Sequence, residues 1–115
     1  MTTKLADYLS PLPFCAVLRG ITPEEIEPIG GALAEAGFRI LEVPLNSPRP
    51  FDSIALLARH FGARCLVGAG TVLDPADVER VARAGGKLVV MPHCDTRVIV
   101  EAKRQGLVCM PGVAT

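Results

Sequence analysis

Apolar residues in this chain alternate between short continuous runs and longer stretches at helical spacing, and the alternation repeats. Residues 14–18 form the first run, read as a strand, and Arg19-Gly20-Ile21 a loop. Thr22-Pro23-Glu24-Glu25 follows with a capping hydroxyl, a first-turn proline and a glutamate three residues on, the chemistry of a helix start. Ile26, Ile29, Leu33 and Ala36 then recur at helical spacing, and Gly37 supplies a left-handed stop. The second unit has a strand within 38–46, Ser47-Pro48 as cap and first turn, and Phe51, Ile54, Leu57, Ala58 and Phe61 on one helical face before Gly62. In the third, 65–69 reads as strand, Gly70-Thr71-Val72-Leu73 as loop, and Asp74-Pro75 opens a helix carrying Val78, Val81 and Ala82 and ending at Gly85-Gly86. A fourth strand over 87–91, the loop Pro92-His93-Cys94 and a helix over 95–105 closed by Gly106 lead to a fifth strand from Leu107. Residues 4–9 read as a short leading helix, stopped by Pro11 and Pro13.

Strand starts recur roughly every 20 to 26 residues, the length of one strand plus one crossover helix. The pattern therefore predicts an α/β fold, a parallel βα repeat in one domain. Two architectures accommodate five such units. One is the first five units of a (β/α)8 TIM barrel, which needs roughly 200 residues or more to close; the other is a finished, open, doubly wound sheet. Thr115 stands where each earlier unit places the Thr, Ser or Asp that caps its next helix, and a parallel strand needs cover on both faces. That predicts an array truncated before strand six. Its open edges at strands one and five predict self-association of the isolated chain.

Composition narrows the function. With 115 residues, half of them hydrophobic, and 12 acidic against 12 basic side chains, the chain can bury a core and has no cationic excess for nucleic acid. No apolar run is long enough to span a membrane. Residues 1–7 lack the cationic start and apolar centre of a signal peptide, so the expected compartment is the cytoplasm. Cys15, Cys65, Cys94 and Cys109 are widely spaced with no C-x-x-C pair, and are expected to be buried free thiols rather than metal ligands.

One residue breaks the pattern. Glu42 sits at the centre of the apolar run Phe38-Arg39-Ile40-Leu41-Glu42-Val43-Pro44-Leu45-Asn46. Period-two alternation places it with Ile40 on one face of a strand buried on both sides, opposite Leu41 and Val43. A carboxylate there needs a cation, a hydrogen-bond donor, a proton or a wet cavity. A structural ion pair and a functional site are both open readings. Arg19, Thr71, Pro92 and His93 fall just after strand ends, the working face of βα folds. Arg19 can hold a carboxylate bidentately with Thr71 adding a hydroxyl, or be a solvated loop cation. Gly68-Ala69-Gly70 fits either close backbone packing or a phosphate cradle. His93 reads as a surface histidine or a substrate contact, and Pro92 as a turn former.

Leu18-Arg19-Gly20-Ile21, Ile40-Leu41-Glu42-Val43-Pro44-Leu45-Asn46-Ser47-Pro48, Val67-Gly68-Ala69-Gly70-Thr71-Val72-Leu73 and Met110-Pro111-Gly112-Val113-Ala114-Thr115 resemble, in order and spacing, the motifs of the 2-keto-3-deoxy-6-phosphogluconate and phosphogalactonate aldolases. The resemblance covers the chain but only five of that family's eight βα units. It implies a trimeric (β/α)8 barrel that cleaves a phosphorylated 2-keto-3-deoxy sugar acid to pyruvate and glyceraldehyde 3-phosphate through a lysine Schiff base, without a cofactor or metal. By the same resemblance Glu42 moves protons, Thr71 holds the pyruvate carboxylate and Pro92 lines the site. Asn46 stands where phosphogluconate-specific members resemble one another in having arginine. That departure looks like the phosphogalactonate branch, in which Arg19 would be the carboxylate-binding cation. The family's Schiff-base lysine lies on strand six and its phosphate site on strands seven and eight, so this chain alone is expected to be inactive. Two other functions remain open: a non-catalytic open α/β module binding a small anionic metabolite, and a phosphate-handling TIM-barrel enzyme of another reaction.

Overall fold

The computed structural model describes residues 3–115. A short helix α1 (Leu5–Leu9) precedes five strands, β1 (Cys15–Val17), β2 (Ile40–Pro44), β3 (Leu66–Gly70), β4 (Leu88–Met91) and β5 (Val108–Pro111). Between them run α2 (Pro23–Glu35), α3 (Pro50–Phe61), α4 (Pro75–Arg83) and α5 (Thr96–Arg104). All strand pairs are parallel, and the order in the sheet is β1-β2-β3-β4-β5.

That order excludes the doubly wound alternative, which requires the sheet to reverse direction and place helices on both faces. Here the strands advance in one direction only. Leu41, Val43, Val67, Ala69, Val89 and Met91 point to one face, where they share a core with Ile26, Ile54, Leu57, Val78, Val81 and Val98 of α2 to α5. The opposite face carries Ile40, Leu66, Leu88 and Val108, packed against Leu5, Tyr8 and Leu9 of α1. A parallel sheet with its crossover helices on one face is the geometry of a (β/α)8 barrel wall, and the second face is the barrel interior. The leading helix covers the interior at the strand starts, since Ile40, Leu66, Leu88 and Val108 each open their strand. The strand ends on this face therefore form the other end of the interior, away from α1.

Local chemistry accounts for most element boundaries. The Glu25 carboxylate accepts the Thr22 backbone N–H at 3.0 Å, and Asp74 and Asp95 each accept an N–H of the following first turn at 2.9 Å. Two expectations need correction. Ser47-Pro48 does not cap α3; Arg49 does, in the left-handed region at φ 43°, with Pro50 as the first helical residue. The Ser47 hydroxyl instead accepts the Gly20 N–H at 3.0 Å, a contact across 27 residues. The buried stripe of α2 is also rotated: Ile26, Gly30 and Ala34 are buried while Ile29 and Ala36 are exposed. Gly30 decides this, because a Cβ there would meet the Phe61 ring of α3 at 2.6 Å. The bare glycine lets the two helices close on that aromatic.

The four cysteines are free, and only Cys65 is buried; Cys94 is exposed in the loop before α5, and Cys15 and Cys109 lie between. No helix among the described residues is long and apolar enough to cross a membrane.

Candidate active site

The interior row at the level of Glu42 is built by strand register. Val17 of β1, Glu42 of β2 and Gly68 of β3 are paired neighbours, so the carboxylate rises from the middle of the wall. Glu42 is 3% exposed, and among the described residues its Oε2 is buried with no hydrogen-bond partner. β3 makes room for it. Gly68 and Gly70 both face the interior by alternation from Leu66. A Cβ on Gly70 would overlap the Glu42 carboxylate, and one on Gly68 would overlap the Leu88 carbonyl. Gly70 thus leaves the room that the carboxylate fills, while Gly68 allows the close approach of the β4 backbone.

Burial pushes the Glu42 carboxyl up from 4.5 to about 7, with the positive charge of Arg19 acting in the opposite sense. The Cys15 thiol on the same face is pushed up to about 11, by burial first and by the Glu42 charge second. It stays neutral at physiological pH. The acid is therefore poised to hold or release a proton near neutrality, which suits a group that must act as both acid and base.

Three loops converge above it. Leu18 N–H bonds to the Glu42 carbonyl and Leu45 N–H to the Gly70 carbonyl, each at 2.9 Å. These backbone bonds extend the ladders past the strand ends and bring Arg19, Asn46 and Thr71, each the next residue along, to one place. The Arg19 guanidinium donates from Nη1 to Asn46 Oδ1 at 2.7 Å and from Nη2 to Thr71 Oγ1 at 3.4 Å. Thr71 is held at φ 55°, a left-handed conformation that is strained for a β-branched residue. Strain of this kind at a residue that presents its hydroxyl to a cation is a mark of a site.

Of the residues singled out in the sequence, Glu42, Arg19 and Thr71 are brought together. Pro92 and His93 follow β4 at the same end of the sheet, but are exposed and line a separate groove of about 480 Å3 with Cys94 and residues 112–115. Sequence reasoning gave close backbone packing for Gly68, which its approach to the Leu88 carbonyl bears out, but did not find the direct bond from Arg19 to Asn46 or the room that Gly70 leaves for the Glu42 carboxylate. The last had a legible signal: a glycine two residues on from an interior-facing position removes a side chain from that face.

Residues 5–115 match the family described as KDPG and KHG aldolase. A probable 2-dehydro-3-deoxy-6-phosphogalactonate aldolase of Rhizobium meliloti is 52% identical over 103 residues, covering 90% of this chain and 49% of that protein. A solved structure described as native KDPGal is 42% identical with a TM-score of 0.90, covering all of this chain and 53% of that one. The KDPG aldolase of Legionella pneumophila, solved with pyruvate captured as a covalent carbinolamine intermediate, is 27% identical with a TM-score of 0.87, covering 98% of this chain and 54% of that one. The chain spans about half the length of the curated relatives it matches. With a match that runs from residue 5 to the last residue and a sheet that superposes along its whole length, the chain belongs to the KDPG and KHG aldolase family.

Proposed function

We propose that this chain carries the pyruvate-binding and proton-transfer half of a Schiff-base aldolase that cleaves 2-dehydro-3-deoxy-6-phosphogalactonate to pyruvate and glyceraldehyde 3-phosphate. The observation that carries the reading is the buried, unpartnered Glu42 carboxyl held near neutrality beneath Arg19 and Thr71. Arg19 and the Thr71 hydroxyl supply donors for a carboxylate. Aldol cleavage removes a proton from the substrate hydroxyl that becomes the aldehyde and returns one to the carbon that becomes the pyruvate methyl. A carboxyl near 7 can do both in turn. Pro92 would bound the substrate on the β4 side. The relative trapped with pyruvate as a carbinolamine, the adduct that precedes an imine, supports the Schiff-base route. The 52% identity to a phosphogalactonate enzyme supports the substrate.

The imine-forming amine is not one of the lysines of this chain. Lys87 precedes β4 at the opposite end of the sheet, Lys103 is exposed on α5, and Lys4 precedes α1. All three are exposed and away from the end of the sheet where Arg19, Asn46 and Thr71 meet. The 115-residue chain by itself is inactive on this reading, and turnover belongs to a cytoplasmic, trimeric whole barrel. Incubation of the chain with pyruvate and borohydride tests this: no covalent adduct is expected, and a stoichiometric adduct on Lys87 or Lys103 would overturn it. In a full-length enzyme carrying this segment, Glu42→Gln is expected to lower kcat at least ~100-fold, and unchanged turnover would remove Glu42 from the mechanism.

A further inference from the structure

Arg19 is bound differently from the ion-paired arginines of the chain, and differently from Arg39, whose guanidinium is tied down by the backbone carbonyls of Ala34 and Phe38. Arg49, Arg80, Arg83, Arg97 and Arg104 each pair with a carboxylate, at 2.6 to 3.5 Å. Arg19 is held by neutral side-chain oxygens from two other loops, Asn46 Oδ1 at 2.7 Å and Thr71 Oγ1 at 3.4 Å. The two contacts are unequal. A 2.7 Å bond from a guanidinium lies at the short, strong end of the range, whereas 3.4 Å lies beyond the usual N–H···O distances. Asn46 therefore fixes the direction of the guanidinium, and Thr71 is only grazed by it. The next residues along form a second rung between the same two loops, with Gly20 N–H donating to the buried Ser47 hydroxyl at 3.0 Å. Gly20, at φ 82°, makes the turn that this rung needs.

Resting on the function proposed above, we propose that Asn46 is a positioning residue: as a neutral acceptor it holds the Arg19 guanidinium over Thr71 and Glu42 while leaving its charge uncompensated for an incoming carboxylate. An aspartate in its place would give the same geometry and cancel the charge. An alanine would release the guanidinium. The charge matters twice, for the anion that Arg19 binds and for Glu42, whose proton affinity it lowers. Among the described residues the charge that acts on Glu42 is that of Arg19, from the loop after β1; the neutral Cys15 thiol of β1 lies on the same face, and β3 presents Leu66, Gly68 and Gly70 there, none of them titratable.

The test is a carbon-13 NMR titration of the Glu42 carboxyl, with a pyruvate titration alongside, in the 115-residue chain and its Asn46→Asp, Asn46→Ala and Arg19→Ala variants. Asn46→Asp changes one exposed side-chain atom, and matched thermal unfolding midpoints confirm an intact fold. Asn46→Asp is expected to raise the Glu42 midpoint by about 0.5 pH or more and to weaken pyruvate at least ~10-fold. Asn46→Ala is expected to weaken pyruvate alone but to have no further effect once Arg19 is alanine, the signature of a residue acting through another. Equal loss in both backgrounds, or a Glu42 midpoint indifferent to Asn46→Asp, overturns the proposal. Should the unsubstituted chain fail to bind pyruvate while Asn46→Asp still raises the midpoint, the positioning role stands and the assigned function falls.

Discussion

Replacing Glu42 by glutamine keeps the shape of the side chain and removes its titration, so the effect on stability is a direct reading of what burial does to the acid. In the folded chain the carboxyl titrates near 7, against 4.5 for an ordinary glutamate. Below 4.5 both folded and unfolded chains hold the proton, and this group makes stability independent of pH. Between 4.5 and about 7 the folded chain still holds its proton while the unfolded chain has lost it. Folding then takes up a proton, and stability falls as pH rises. Above about 7 the loss is complete, at ~3 kcal/mol for a displacement of this size. Urea unfolding of the chain and of Glu42→Gln at pH 5, 6, 7 and 8 measures it. The expected result is a variant close to the parent at pH 5 and more stable by ~2 to 3 kcal/mol at pH 8. A difference that is flat across this range, or a parent that gains stability from pH 5 to 8 relative to the variant, would refute a buried acid of raised proton affinity.

Other substitutions probe the surroundings of the acid. Gly68→Ala is expected to cost ~2 kcal/mol or more in urea unfolding, because its Cβ meets the backbone carbonyl of Leu88, which cannot yield. Gly70→Ala meets the tip of the Glu42 side chain instead, and is expected to cost less in stability while displacing the Glu42 NMR titration. Thr71→Gly relieves the left-handed strain at φ 55° and is expected to leave stability unchanged or raise it by up to ~1 kcal/mol while weakening pyruvate; an ordinary loop threonine would lose stability. Ser53 of α3 is fully buried, and its hydroxyl has no partner among the described residues. Ser53→Ala is expected to raise stability by ~1 kcal/mol in the same unfolding assay.

The fold was legible where its causes are local. Caps at Thr22, Asp74 and Asp95, stops at Gly37 and Gly106 and the spacing of Ile54, Leu57 and Phe61 each belong to one segment, and the structure repeats them. The start of α3 was not legible, because the Ser47 hydroxyl is claimed by Gly20 in another loop. The buried stripe of α2 shifted for the same kind of reason: it answers to Phe61 on a neighbouring helix. The choice between a barrel wall and a doubly wound sheet rests on strand order, which no periodicity records. At the site, Glu42 stood out as a charge in an apolar strand, and alternation gave its face. Its lack of a partner, and the choice of Asn46 over a carboxylate to hold Arg19, depend on three loops meeting and appear only once the chain is folded.

The proposed proton transfer requires Glu42 to exchange its proton near neutrality beside Gly70 and beneath Arg19. The titration midpoint of its side-chain carboxyl by carbon-13 NMR, in the unsubstituted chain without ligand, tests it most directly. A midpoint near 7 is the expected result. A midpoint at or below the 4.5 of an ordinary glutamate would show a solvated or ion-paired carboxylate, and would contradict the account.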